Sequence, residues 1–187
     1  MAEGDFAQIR ACAEYFSGVA KKIQMGDGPA MDVSDSMKGY AYREPWGVVA
    51  GIIPWNYPIV LTSWFMFPAL LSGNTIIIKP AEDTPLSALY IGKLAEEAGF
   101  PPGVINILPG RGEITGQCMA ENPGIRYIAF TGSPGVGQSI LRTCDRHGTR
   151  MKREMGGNGS AIVLDDADPA VVGRLVGRYT NQHYGQT

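Results

Sequence analysis

Residues 47–79 read GVVAGIIPWNYPIVLTSWFMFPALLSGNTIIIK, and the order of segments inside this stretch decides the fold. Residues 47–53 (GVVAGII) and 75–79 (TIIIK) are short, apolar and β-branched. Neither alternates polar with apolar, so both are expected to be strands buried on both faces. Residues 59–71 between them predict a buried helix. Two continuous apolar strands joined through a helix are the repeating unit of a parallel sheet.

The alternation continues downstream. Residues 85–98 (PLSALYIGKLAEEA) predict a helix, with Pro85 in its first turn and Gly99 just past its end. Residues 104–108 predict a strand, 113–121 a helix, 127–130 a strand and 136–145 a helix. The fold class is therefore α/β: a Rossmann-like open parallel sheet with helices on both faces. Upstream, residues 5–22 predict an amphipathic helix capped by Asp5, with Ile9, Cys12, Ala13, Phe16, Val19 and Ile23 on one face. Residues 26–36 (GDGPAMDVSDS) read as a loop, and 40–44 as a short strand candidate. KREM (152–155) and AIVL (161–164) are further strand candidates, and Asp168 is placed to cap a helix from Pro169.

Bulk properties exclude several classes. The 187 residues carry a net charge of -2, which leaves no basic footprint for nucleic acid. The apolar run 58–71 is shorter than the roughly 20 residues a membrane helix needs, and Pro68 interrupts it. The 3 cysteines, Cys12, Cys118 and Cys144, are widely spaced, which suggests reduced thiols and a cytoplasmic setting. MAEGDF is acidic and polar and does not read as a signal peptide. His147 and His183 show no metal-ligand spacing, so no metal is expected.

In an open parallel sheet, ligands bind at the carboxyl ends of the strands. That gathers 54–57, 79–82, 109–112 and 131–135 along one edge. The glycine-rich stretch FTGSPGVGQS (130–139) follows a strand and opens a helix, a place suited to an anion. It is not a P-loop: Gly132, Gly137 and Ser139 fit, but Gln138 stands where the lysine belongs. Nor is it the dinucleotide fingerprint: Gly135 and Gly137 match, but Ile140 takes the place of the last glycine. A tight turn without a ligand fits equally well.

Taken together, PWNYP (54–58), KPAE (79–82), FTGS (130–133), EMGG (154–157) and GQT (185–187) resemble the aldehyde dehydrogenase superfamily, in order and in spacing, from about Tyr40 onward. The resemblance implies oxidation of an aldehyde to a carboxylic acid through a thiohemiacetal on a cysteine. It implies NAD as cofactor, with NADP possible, and a homo-oligomer for the complete enzyme. It divides the chain into an N-terminal helix and loop (1–39), an NAD(P)-binding domain (40–157) and the start of a catalytic domain (158–187).

Site residues carry over position by position. Asn56 would donate its amide to the oxyanion. Glu154 would be the general base. Ile53, Pro54 and Trp55 would border the cofactor. Lys79 and Glu82 would hold the adenosine ribose, and the Glu82 carboxylate would disfavour a 2′-phosphate. Gly112 would also bind the cofactor. Gly132 and Ser133 would open the helix that faces the pyrophosphate, Gly156 and Gly157 would let the backbone approach the nicotinamide, and Phe130, Thr131, Val136 and Met155 would also bind the cofactor.

Three departures from the family pattern stand out. Arg153 precedes the base where a small or apolar residue is usual, and a cation there would favour the charged carboxylate. Asn158-Gly159-Ser160 replaces the usual residues after the glycines, and Tyr184 is bulky before Gly185. The motif also implies a nucleophilic cysteine at the position after Thr187. Trp55, Tyr57, Trp64 and Phe65 hint at an apolar aldehyde, although core packing explains them better. A non-catalytic nucleotide-binding or assembly remnant of the family is the alternative reading.

Overall fold

The computed structural model describes residues 2–23, 26–157 and 159–186. Helix α1 (Ala2–Ala20) leads into a hairpin of β1 (Gly26–Ser34) and β2 (Met37–Arg43). Then follow β3 (Val48–Ile52), α2 (Pro58–Leu71), β4 (Thr75–Lys79), α3 (Leu86–Glu97) and β5 (Ile105–Ile107). A π-helical turn over Gly112–Gly116 continues as α4 (Gln117–Glu121). Then come β6 (Ile125–Gly132), α5 (Pro134–His147), β7 (Arg150–Met155) and α6 (Pro169–Thr180).

Strands β3 to β7 form one parallel sheet in the order β5-β4-β3-β6-β7. The chain winds outward from β3 to β4 and β5, then crosses back to β6 and β7 on the other side. The sheet thus has its switch point between β3 and β6, where a doubly wound fold opens a crevice at the strand carboxyl ends.

The continuous apolar strands are explained by two cores, one on each face. On one face Val49, Ile53, Ile76 and Ile78 pack against Leu61, Met66 and Ala69 of α2 and Ile91 of α3. On the other Ala50, Ile52, Ile128 and Phe130 pack against Met119 and Ala120 of α4 and Ile140 and Cys144 of α5. Gly51 faces the α2-side core: a Cβ there would come within 2.7 Å of Ile78 and 2.8 Å of Phe65. Two buried hydroxyls of α2 are satisfied within the helix, Thr62 Oγ1 donating to the Pro58 carbonyl at 2.7 Å and Ser63 Oγ to that of Val60 at 2.6 Å.

Three local expectations fail. Residues 26–36 are not a loop, because irregularities between Asp27 and Ala30 and between Asp32 and Ser34 let the strand keep its pairing with β2. Gly28 is required there, since a Cβ would collide with the Ala41 carbonyl. Residues 161–164 form no strand: Ile162 is 88% exposed, and β-propensity without an edge to pair with does not make a strand. Asp5 does not cap α1, which already begins at Ala2; it lies in the first turn. Asp168 does cap α6, accepting the Ala170 N–H at 2.8 Å.

Candidate active site and cofactor crevice

The end of β3 carries Ile53, Pro54, Trp55 and Asn56 out of the sheet. Ile53 is buried, and its N–H donates to the Lys79 carbonyl at 3.1 Å, fixing the exit from β3 to the end of β4. Trp55 is half exposed. Asn56 Nδ2 donates to the Gln186 carbonyl at 2.6 Å, a contact across 130 residues of sequence. Its Oδ1 is buried without a hydrogen-bond partner.

Lys79 ends β4 at only 3% exposure, its Nζ donating to the Pro80 carbonyl at 3.0 Å. Burial pushes the ammonium below the ordinary lysine value, and the Glu82 carboxylate acts in the opposite sense. Glu82 Oε2 accepts the Gly112 N–H at 2.9 Å, and a Cβ on Gly116 would touch the Lys79 side chain at 3.7 Å. The π turn therefore closes over Lys79 and Glu82, bringing Lys79, Glu82 and Gly112 together.

On the other side of the switch point, β6 ends in Phe130, Thr131 and Gly132. Ser133 caps α5, with its Oγ accepting the Val136 N–H at 3.5 Å. The glycine spacing that matched no stock fingerprint has a packing cause. A Cβ on Gly132 would lie 2.7 Å from the Phe130 ring, and one on Gly137 would lie 3.0 Å from both that ring and Met155 Sδ. Gly135 borders open space. The glycines that matter are those wrapped around Phe130, and they bring the first turn of α5, with its unsatisfied amides, to the crevice.

In β7, Glu154 stands opposite Thr131 and Met155 opposite Gly132, while the Gly156 N–H donates to the Gly132 carbonyl at 3.4 Å. Thr131 Oγ1 is buried and unpartnered. The cation beside Glu154 is Lys152, with Nζ 3.2 Å from Oε1, and not Arg153 as the sequence suggested. Strand side chains alternate, so Arg153 goes to the other face and donates to Gln138 Oε1 at 3.4 Å. Period two in KREM was the signal that could have placed Lys152 and Glu154 together.

A cavity of about 820 Å³ runs under the sheet on the α2 side, with Thr131, Lys152 and Glu154 among its walls. Trp64 and Phe65 line it; Trp55 and Tyr57 do not. Cys12 lines it too, its thiol pushed up by burial, and Cys144 is buried and likewise pushed up. Neither has the electropositive setting of a reactive thiolate. Asn56 sits apart from this cavity, beside residues after α6 that sequence reasoning did not connect to it. Among the described residues no helix is long and apolar enough to cross a membrane.

A side-chain amide after β3, a carboxylate at the end of β7 and a capped helix after β6 gather at the switch point of a parallel sheet, the place where open α/β folds bind ligands. The chain belongs to the aldehyde dehydrogenase family, whose model matches residues 1–187. Aldehyde dehydrogenase [NAD(P)+] 1 of Saccharomyces cerevisiae is 44% identical over 168 residues, covering 89% of this chain and 33% of its own. Retinal dehydrogenase 2 of Gallus gallus is 48% identical over 165 residues, covering 88% and 31%. Among solved structures, an NAD+ complex of aldehyde dehydrogenase from Bacillus cereus aligns with a TM-score of 0.93 at 38% identity, covering 99% of this chain and 37% of that one. The chain thus spans about a third of the length of the curated relatives it matches.

Proposed function

We propose that this chain is the cofactor-binding part of an NAD-dependent aldehyde dehydrogenase, with NADP a weaker alternative. The observation that carries the reading is the Asn56–Gln186 contact at 2.6 Å. It joins the candidate oxyanion donor to GQT, the motif that the resemblance sets just before the nucleophile. A cysteine following Thr187 in a longer chain would then stand within reach of the Asn56 amide, an arrangement suited to stabilising an oxyanion.

The residues present fit a dinucleotide. Lys79 and Glu82 offer a cation and a carboxylate to a ribose, the α5 N-terminus offers amides to a pyrophosphate, and Thr131 Oγ1 is a buried hydroxyl still without a partner. When bound, the nicotinamide supplies the hydride acceptor. Asn56 orients the carbonyl oxygen and stabilises the charge that develops on it. Glu154 takes a proton from the water that releases the acid, and Lys152 holds its carboxylate. We assign residues 1–39, 40–157 and 158–187 to an N-terminal arm, the cofactor domain and the start of a catalytic domain, working in the cytoplasm as part of a homo-oligomer.

NADH absorbance tests the reading. A chain that continues beyond Thr187 through the cysteine and a whole catalytic domain should produce NADH from an aldehyde, and Asn56→Ala should slow it by about 100-fold or more, the cost of one oxyanion donor. Turnover unaffected by Asn56→Ala would overturn the assignment. NAD binding without turnover in the extended chain would favour the remnant reading.

A further inference from the structure

One set of contacts has no part in the chemistry above: Asp5 of α1, Tyr57 of the β3–α2 loop, and His183. The His183 and Tyr57 rings are stacked, with centroids 3.9 Å apart and planes 11° apart. At the ring edge, His183 Nε2 lies 3.8 Å from Asp5 Oδ2, and these side chains are only 12% and 22% exposed. Around His183 the backbone is strained. His183 and Tyr184 have φ of 52° and 57°, the left-handed region disfavoured for a residue with a Cβ, and Gly185 follows at 78°. Such a run persists only when its surroundings hold it. None of the residues of this turn, Gln182–Gly185, is fully buried. The turn delivers the Gln186 carbonyl to Asn56.

We propose that His183 is a positioning residue: stacked on Tyr57 and paired with Asp5, it holds the strained turn that sets residue 186 against the Asn56 amide. The tether stands on its own contacts; its meaning for the reaction rests on the function proposed above. Asp5 from α1 and Tyr57 from the loop meet the ring, and Tyr184 in the same turn is exposed.

Two-dimensional NMR of the chain tests this by following the Asn56 side-chain amide. His183→Ala removes both the stack and the Asp5 contact and should move the Asn56 amide well away from its wild-type shift while leaving the amides of β3 to β7 in place. His183→Phe should keep the Asn56 shift near its wild-type value, because stacking survives, and Asp5→Asn should move it less than His183→Ala does. An Asn56 amide unmoved by His183→Ala, or moved as far by His183→Phe as by His183→Ala, would overturn the proposal. Titrating NAD into the same sample and following the Lys79 and Glu82 amides tests the cofactor reading separately.

Discussion

Lys152 and Glu154 face each other with Nζ 3.2 Å from Oε1, while Arg153 between them turns to the opposite face of β7 against Gln138. The side chains of the pair are 61% and 60% exposed, so water and salt screen the attraction. A double-mutant cycle with Lys152→Met and Glu154→Gln in urea should give a coupling of about 0–1 kcal/mol. A coupling of several kcal/mol would mean that the pair is far drier than its exposure indicates.

Lys79 sets stability against binding. Its ammonium is buried, and burial lowers its pKa while the Glu82 carboxylate opposes that shift in part. In the alkaline window just below the ordinary lysine value the unfolded chain therefore holds more protons than the folded one. Stability contributed at this site accordingly rises with pH through that window. Lys79→Met should raise the melting temperature at neutral pH, remove that alkaline rise, and abolish the stabilisation that NAD gives. Melting curves with and without NAD at neutral and alkaline pH check all three.

The glycine-rich loop separates packing from flexibility. Gly132→Ala puts a Cβ 2.7 Å from the Phe130 ring and should cost about 1–3 kcal/mol. Gly135→Ala meets nothing within 4 Å in the first turn of α5 and should be neutral or stabilising by up to about 1 kcal/mol. Chemical denaturation of the two variants side by side decides it, and equal losses would contradict the packing account.

The central sheet carries the fold's stability. Ile128 is fully buried in β6, between β3 and β7, and Ile128→Ala should cost about 2–5 kcal/mol. Exposed Ile162→Ala should cost less than about 0.5 kcal/mol in the same denaturation assay.

The parallel sheet was legible because its strands are buried on both sides, so runs such as TIIIK carry an unbroken apolar signal. Strand β1 was hidden because Met31 and Val33 are exposed and its glycine-rich start argues for a loop, whereas its partner β2 was read in part as the 40–44 candidate. In AIVL the propensity was visible, but the absence of a pairing edge was not. Asn56 and Glu154 became candidates through motifs at strand ends. Their partners did not: Lys152 depends on strand alternation, and Gln186 on a contact between distant segments that no local pattern encodes.

The central claim is that Lys79, Glu82 and the α5 N-terminus form an NAD site, and a thermal-shift titration with NAD and NADP on the wild type and Glu82→Ala tests it most directly. NAD should raise the melting temperature of the wild type, NADP should raise it less, and Glu82→Ala should lose most of the NAD effect. No shift with either cofactor, or an equal NAD shift in Glu82→Ala, would contradict the claim.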